Sequence, residues 1–160
     1  MLTVTILCIG KLKERYLTDA CNEYIKRLGA FCKIVIEECP EYKLPDQPSD
    51  AQIARCIEKE GETLLKKLPK GAEVIPLCIE GKELSSPELA EKIDRIAVSG
   101  KSGIAFVIGG SYGLSEEVKA MGSLRLSMSK MTFPHQLARV MLLEQTYRAF
   151  QISQNGKYHK

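Results

Sequence analysis

"GIAFVIGGSYGLSEEV", Gly103 to Val118, joins a β-branched apolar run to a glycine-rich turn and then to an acidic segment of helical character. Strand, tight turn and helix in that order is the layout of a parallel α/β sheet, which holds ligands at its strand ends. The turn carries none of the cations that grip a polyphosphate. Gly109, Gly110 and Gly113 do not form the dinucleotide fingerprint, since GxGxxG would need a glycine at Ile108. "SGKSG", Ser99 to Gly103, contains the GKS of a phosphate loop, but GxxxxGKS would put its leading glycine at Arg95, and the segment precedes a strand instead of following one. Gly100 reads there as a helix C-cap. Two readings of the turn remain open. Paired glycines let backbone come close to a flat, largely neutral group such as adenosine, or the turn needs a positive φ and holds nothing.

Outward from this turn, strand and helix signals alternate. Leu2 to Ile9 reads as a buried strand; Leu17, Ala20, Cys21, Tyr24, Ile25 and Leu28 recur at helical spacing until Gly29; Phe31 to Glu38 is a second strand. Pro40, Pro45 and Pro48 make a loop, and Ser49 or Asp50 caps a helix that Pro69 and Gly71 close. Glu73 to Ile79 is the third strand, Ser86 with Pro87 starts a helix that Gly100 ends, and Ile104 to Ile108 is the fourth strand. Leu124, Leu126 and Met128 alternate as the fifth, and Pro134 opens a last helix running to about Gln151. The expected class is α/β, a mostly parallel sheet with helices on both faces, in a single domain over 1–160. Val140, Met141, Leu142 and Leu143 are consecutive, so the last helix is apolar on more than one face and must be covered nearly all round, by a second subunit or within its own chain.

A chain of 160 residues with 44% apolar content has room for one sizeable core. Its net charge of +3 is unevenly spread. Beyond Met121 the charges are Arg125, Lys130, Arg139, Arg148, Lys157 and Lys160 against Glu144 alone, while Glu37 to Glu62 is acidic, so an anionic partner is expected at the C-terminal pole. Lys11, Lys13 and Arg15 read as a solvated face. Six cysteines without a CxxC pair read as buried, reduced thiols, and no metal site is expected. The β-branched N-terminus fits a strand better than a signal peptide, and nothing reaches the roughly 20 apolar residues of a membrane span. A cytoplasmic protein is expected.

"VIGGSYG" read together with "LSMSKMTFPHQLARVMLLEQTYRA", Leu126 to Ala149, and the terminal "YHK", Tyr158 to Lys160, resembles the SPOUT class of methyltransferases, and within it the small family that methylates N3 of a pseudouridine in large-subunit (23S) ribosomal RNA. The resemblance covers essentially the whole chain. It implies a C-terminal deep trefoil knot, which periodicity could never have predicted, and S-adenosylmethionine as cofactor, surrounded by Leu77, Gly109, Met128, Ser129, Lys130, Met131, Thr132 and Phe133. It also implies a homodimer with the site near the subunit interface, a ribosomal RNA partner met in an assembled ribosomal particle, and a tail that folds over the active site. Met128 stands where phenylalanine or leucine is the readier expectation.

Methylating the imide N3 requires alignment of the nucleophile and removal of a proton. His135, in the first turn of a helix, is a candidate base kept neutral by the helix dipole, or else a capping residue. Arg148 is a candidate for holding a phosphate or the uracil carbonyls, or else a solvated helix arginine. Tyr158 and His159 complete the candidate catalytic set through the tail. Lys130 and Arg139 are weaker phosphate contacts. The competing functions are a non-catalytic RNA- or ribosome-binding protein that kept the fold, and a phosphate-loop nucleotidase, against which the displaced GKS argues.

Overall fold

Along β1 (Thr3–Ile9) the side chains alternate between two cores. Val4, Ile6 and Cys8 join one core and Leu7 and Ile9 the other, as the two-residue period of a strand buried on both faces requires. The computed structural model describes residues 1–160. It adds β2 (Lys33–Cys39), β3 (Glu73–Glu83), β4 (Gly103–Ile108) and β5 (Leu126–Ser127), with helices α1 (Arg15–Leu28), α2 (Asp50–Lys67), α3 (Ser86–Ala97), α4 (Glu116–Lys119) and α5 (His135–Ser153). The sheet order is β2-β1-β4-β3-β5, and every neighbouring pair is parallel.

The two layers follow from the crossovers. The steps β1 to β2 and β3 to β4 run one way along the sheet, and their helices α1 and α3 lie on the same face, packed with α5 over Phe106, Ile6 and Ile75. The steps β2 to β3 and β4 to β5 run the other way, and α2 and α4 cover the opposite face, where Leu64, Leu114 and Val118 meet Leu7 and Val107. A single crossover hand demands that reversal of face with reversal of direction. Connections from β1 and β4, and from β4 and β3, leave toward opposite faces, so crevices open at their carboxyl ends.

Ser49 caps α2 and Ser85 caps α3, each in a reciprocal capping box with Gln52 and Glu88. The helix expected to start at Ser86 does so, with Ser85 as its cap and Pro87 in the first turn. Gly100, at φ +85°, lies just beyond the end of α3. All six cysteines are free thiols, five of them buried. Burial pushes Cys8, Cys32 and Cys56 up to about 11, which keeps them protonated and unreactive.

Two elements differ from the sequence reading. β3 continues to Glu83, and β5 keeps only two residues of the alternating run. Leu126 pairs with both Leu77 and Lys82, the register shifting between them, while the Lys82 N–H donates to the Arg125 carbonyl at 2.7 Å. Residue 81 must be glycine, because a Cβ there would stand 2.5 Å from that carbonyl oxygen. The apolar girth of α5 is met first within the chain: it lies between α1 and α3, and only Leu137 and Ser153 among its residues are exposed. Val140 and Met141 remain half-buried.

Candidate functional site

Of the residues expected around the cofactor, Leu77 lies where the pairing of β3 with β4 ends, Gly109 just after β4 and Met128 just after β5. Pro76 is opposite Val107 in the β3–β4 register and Leu77 is opposite Leu126, so Leu77 and Gly109 leave neighbouring strands and Ser127 and Met128 leave the next. Gly109 is held by close approach: a Cβ on it would lie 2.7 Å from the Gly113 carbonyl carbon, and Gly113 itself adopts φ +84°. The turn is closed by a bond from the Gly113 N–H to the Gly110 carbonyl at 3.1 Å. The segment from Met128 to Phe133 is shaped by its own hydroxyls, Ser127 Oγ donating to the Ser129 carbonyl at 3.0 Å and Ser129 Oγ accepting from the Met131 N–H at 3.0 Å. Met131 projects outward, 73% exposed. In chemistry the set suits a nucleoside sulfonium, with Leu77, Met128 and Phe133 apolar and no cluster of cations calling for phosphates, whereas glycine is required at positions 109 and 110 by neighbouring protein atoms.

Met128 also lines a cavity of about 440 Å³ between β5, the start of α3 and the middle of α5, with Tyr24, Leu89, Val140, Met141 and Glu144 among its walls. Beyond Glu144 lies the tail, which is folded back along α5. The Glu144 carboxylate accepts from Arg148 Nε at 3.0 Å and Nη2 at 2.5 Å, from the Tyr158 hydroxyl at 3.0 Å and from Gln145 Nε2 at 2.9 Å. The Arg148 guanidinium lies 4.7 Å from the Tyr158 ring centroid, and Tyr158 meets Tyr147 edge-on at 4.9 Å. Arg148 Nη1 is 3.1 Å from His159 Nδ1. Because a guanidinium only donates, His159 Nδ1 accepts, which leaves the proton of the neutral ring on Nε2. In this arrangement His159 is a donor, not a base. Burial and hydrogen bonds to Tyr24 and Glu144 push Tyr158 up to about 12, so its phenol stays neutral, and Glu144 holds the Arg148 guanidinium firmly charged.

The structure thus brings Arg148, Tyr158 and His159 together and leaves His135 apart. Thirteen residues of α5 separate His135 from Arg148, about 20 Å at 1.5 Å per residue. His135 sits at the end of β1, its Nε2 4.0 Å from where a Cβ on Gly10 would be. Its pKa is lowered, first by burial and then by Arg139 and Lys13, with Glu41 opposing. The neutral imidazole is as expected, but burial is its main cause.

At the expected cationic C-terminal pole, Arg139 as a phosphate contact is a correction. Arg139 is buried and paired, donating to Glu38 Oε2 at 2.7 Å and to the Gly10 carbonyl at 3.2 Å, so it anchors α5 to the ends of β1 and β2 and meets no phosphate. Arg148 faces Glu144. Lys130, Lys157 and Lys160 stay exposed, as do Lys11, Lys13 and Arg15. Sequence reasoning missed the role of Glu144, although a lone acid four residues before Arg148 on a helix was its signal. It also missed Tyr24 and Gln145, the latter accepting from Ser86 Oγ at 2.6 Å, for which sequence holds no signal. No group of three or more His, Cys, Asp or Glu is disposed to hold a metal ion, and no helix is long and apolar enough to cross a membrane.

A family model described as "Predicted SPOUT methyltransferase" matches residues 2–159. The chain is 50% identical over 159 residues to the putative ribosomal RNA large subunit methyltransferase H of Methanococcus maripaludis, covering 99% of this chain and 100% of that one. It is also 50% identical over 157 residues to the ribosomal RNA large subunit methyltransferase H of Exiguobacterium sibiricum, covering 98% and 99%. Among solved structures, a probable methylase family protein from Haemophilus influenzae is similar at TM-score 0.53 and 17% identity, over 98% of this chain and 70% of that one. The ribosomal RNA small subunit methyltransferase E of Neisseria gonorrhoeae, bound to S-adenosyl methionine, is similar at TM-score 0.53 and 13% identity, over 95% and 66%. Those two likenesses concern the fold; the family match from residue 2 to residue 159 settles kinship, and the chain belongs to the SPOUT methyltransferase family.

Proposed function

We propose that this protein transfers a methyl group from S-adenosylmethionine to N3 of a pseudouridine in large-subunit (23S) ribosomal RNA, acting in the cytoplasm as a homodimer on assembled ribosomal particles. The observation that supports the reading is one cavity lined both by Met128, just after β5, and by Glu144, the acid that holds Arg148 and Tyr158. The full-length likeness to relatives named large subunit methyltransferases supports the substrate class. Family membership implies that the C-terminal segment threads a deep trefoil knot here.

Leu77, Gly109 and the segment Met128 to Phe133 would hold the cofactor, which when bound supplies a methyl group already activated on a sulfonium. The chain's own task is to orient the base and favour loss of the N3 proton. Arg148 and the Nε2–H of His159 are donors suited to the uracil carbonyl oxygens, where charge accumulates as the imide ionises. Tyr158 stays protonated and fixes the tail against Glu144. His135 is the neutral imidazole able to take a proton, and it lies at the other end of α5. Lys130, Lys157 and Lys160 are left to contact phosphate.

Labelled methyl transfer from S-adenosylmethionine to ribosomal particles from cells lacking the protein, followed by nucleoside analysis, tests the reading. N3-methylated pseudouridine is the expected product. Cofactor binding without any incorporation would overturn it in favour of a non-catalytic ribosome-binding protein.

A further inference from the structure

The glycine turn has a second side, turned toward α2. Glu60 and Gly61, adjacent on that helix, touch both ends of it. Both Glu60 carboxylate oxygens lie against Gly110, Oε1 at 3.0 Å and Oε2 at 3.4 Å from where a Cβ would be. A Cβ on Gly61 would stand 2.5 Å from Oγ of Ser115, the residue that caps α4. Glu60 is 4% exposed and in no ion pair; its Oε2 accepts the Tyr42 N–H at 3.0 Å, with the Cys56 thiol alongside. Burial raises its pKa, with Glu41 adding to the effect. A cavity of about 370 Å³, walled by Tyr42, Glu60, Ser111 and Tyr112 among others, lies beside the turn on this side, and Ile9 Cγ2 stands 3.2 Å from where a Cβ on Gly110 would be.

An unpaired buried carboxylate is a poor way to stabilise a fold, since an apolar side chain of like volume would do so without the desolvation cost. Its placement has another consequence. The carboxylate bonds to the loop after β2 through Tyr42 and packs against the turn after β4 at Gly110, and Gly109, the cofactor candidate, is the residue immediately before Gly110. We propose that Glu60 is a positioning residue of the methyltransferase: it seats the glycine turn from the α2 side and so holds Gly109 in place for S-adenosylmethionine. The inference rests on the cofactor reading above.

Calorimetric titration of the full chain with S-adenosylmethionine and with its demethylated product, alongside thermal unfolding, tests it. Glu60→Ala should weaken both ligands by a similar factor, about tenfold, the equivalent of about 1.4 kcal/mol, because a misplaced turn does not distinguish a sulfonium from a thioether. Glu60→Gln, whose carbonyl can still accept the Tyr42 N–H, should bind both within about threefold of wild type, or about 0.6 kcal/mol. Gly110→Ala, which presses a methyl group onto the carboxylate and onto Ile9 Cγ2, should lose at least as much as Glu60→Ala, and the double variant should lose less than the two single losses combined because the carboxylate part of the clash is gone. Should Glu60→Ala fold poorly, Gly110→Ala and Glu60→Gln carry the comparison. The inference is overturned by wild-type affinity in Glu60→Ala and Gly110→Ala, or by a loss confined to S-adenosylmethionine, which would mean a direct charge contact. Wild-type protein that binds neither ligand would remove the cofactor reading itself, and the inference with it.

Discussion

Glu144→Ala takes away the carboxylate onto which the C-terminal tail closes. The Glu144 and Arg148 side chains are 17% and 25% exposed, placing the pair between surface bridges, worth less than about 1 kcal/mol, and buried ones, whose breakage costs about 3–5 kcal/mol. Two further donors, Tyr158 and Gln145, lose the same acceptor. A loss of about 2–3 kcal/mol is expected, which for a domain of this size lowers Tm by roughly 5–10 °C. The damage should be local. The tail loses the Tyr158 bond directly and the His159 contact through a released Arg148, while the core under β1 and β4 is untouched. Hydrogen exchange should therefore rise across Asn155 to Lys160 without rising in β1 and β4. Removing Glu144 also removes one of the groups holding Tyr158 at about 12. A phenol whose folded pKa lies above its ordinary value near 10 contributes stability in full below pH 10 and loses it as pH rises toward 12. In Glu144→Ala the Tyr158 midpoint, read by absorbance against Tyr158→Phe, should fall. Unchanged Tm with unchanged tail exchange would refute the claim that this carboxylate holds the tail.

Arg139→Ala should cost about 3 kcal/mol, toward the lower bound for a broken buried pair since the Glu38 side chain is 32% exposed; urea unfolding of Arg139→Met with Glu38→Gln should show a loss well below the sum of the single ones. Because burial raises the folded pKa of Glu60, its contribution is most favourable below its ordinary pKa and declines as pH rises through the raised value, so Glu60→Gln should gain in Tm on wild type between pH 4 and pH 8, and a widening deficit would contradict this. His135 has a lowered folded pKa, so the stability it confers is present above about 6.5 and is lost as pH falls through the lowered value. NMR titration of its ring, assigned with the help of His159→Ala, should place the midpoint below the ordinary imidazole value near 6.5, and a midpoint above about 6.5 would contradict the burial argument.

The layers were legible because they depend on short periods. Alternation in β1 and β4, the helical spacing of Leu17, Cys21 and Leu28, and caps such as Ser49 are set by neighbours in sequence. What could not be read depends on distant partners. Leu126 pairs with two positions of β3 at once, and no strand pattern encodes that. Arg139 counted as a surface cation until Glu38, 101 residues away, was found beside it. Tyr158 and His159 lie in a polar segment that local rules assign to a frayed end; Glu144, Arg148 and Tyr147 order it. The candidate cofactor residues are implied by resemblance alone, and the register of β4, β3 and β5 supplies a physical reason for Leu77, Gly109 and Met128 being neighbours.

The division of α5 into two ends has a chemical logic. At its start, burial and the positive neighbours Lys13 and Arg139 favour a neutral His135; near its other end, the Glu144 carboxylate favours a charged Arg148 and a protonated Tyr158. These demands conflict at short range, because a carboxylate beside His135 would raise its pKa and undo the effect of burial. Separation by about 20 Å along the helix lets each group keep its protonation state. A single chain then cannot apply both groups to one nucleobase without a large movement. Two copies packed with their α5 helices antiparallel can bring the start of one near the end of the other, with the width of a bound nucleobase keeping the Glu144 carboxylate off His135, and this is the physical ground for the proposed homodimer.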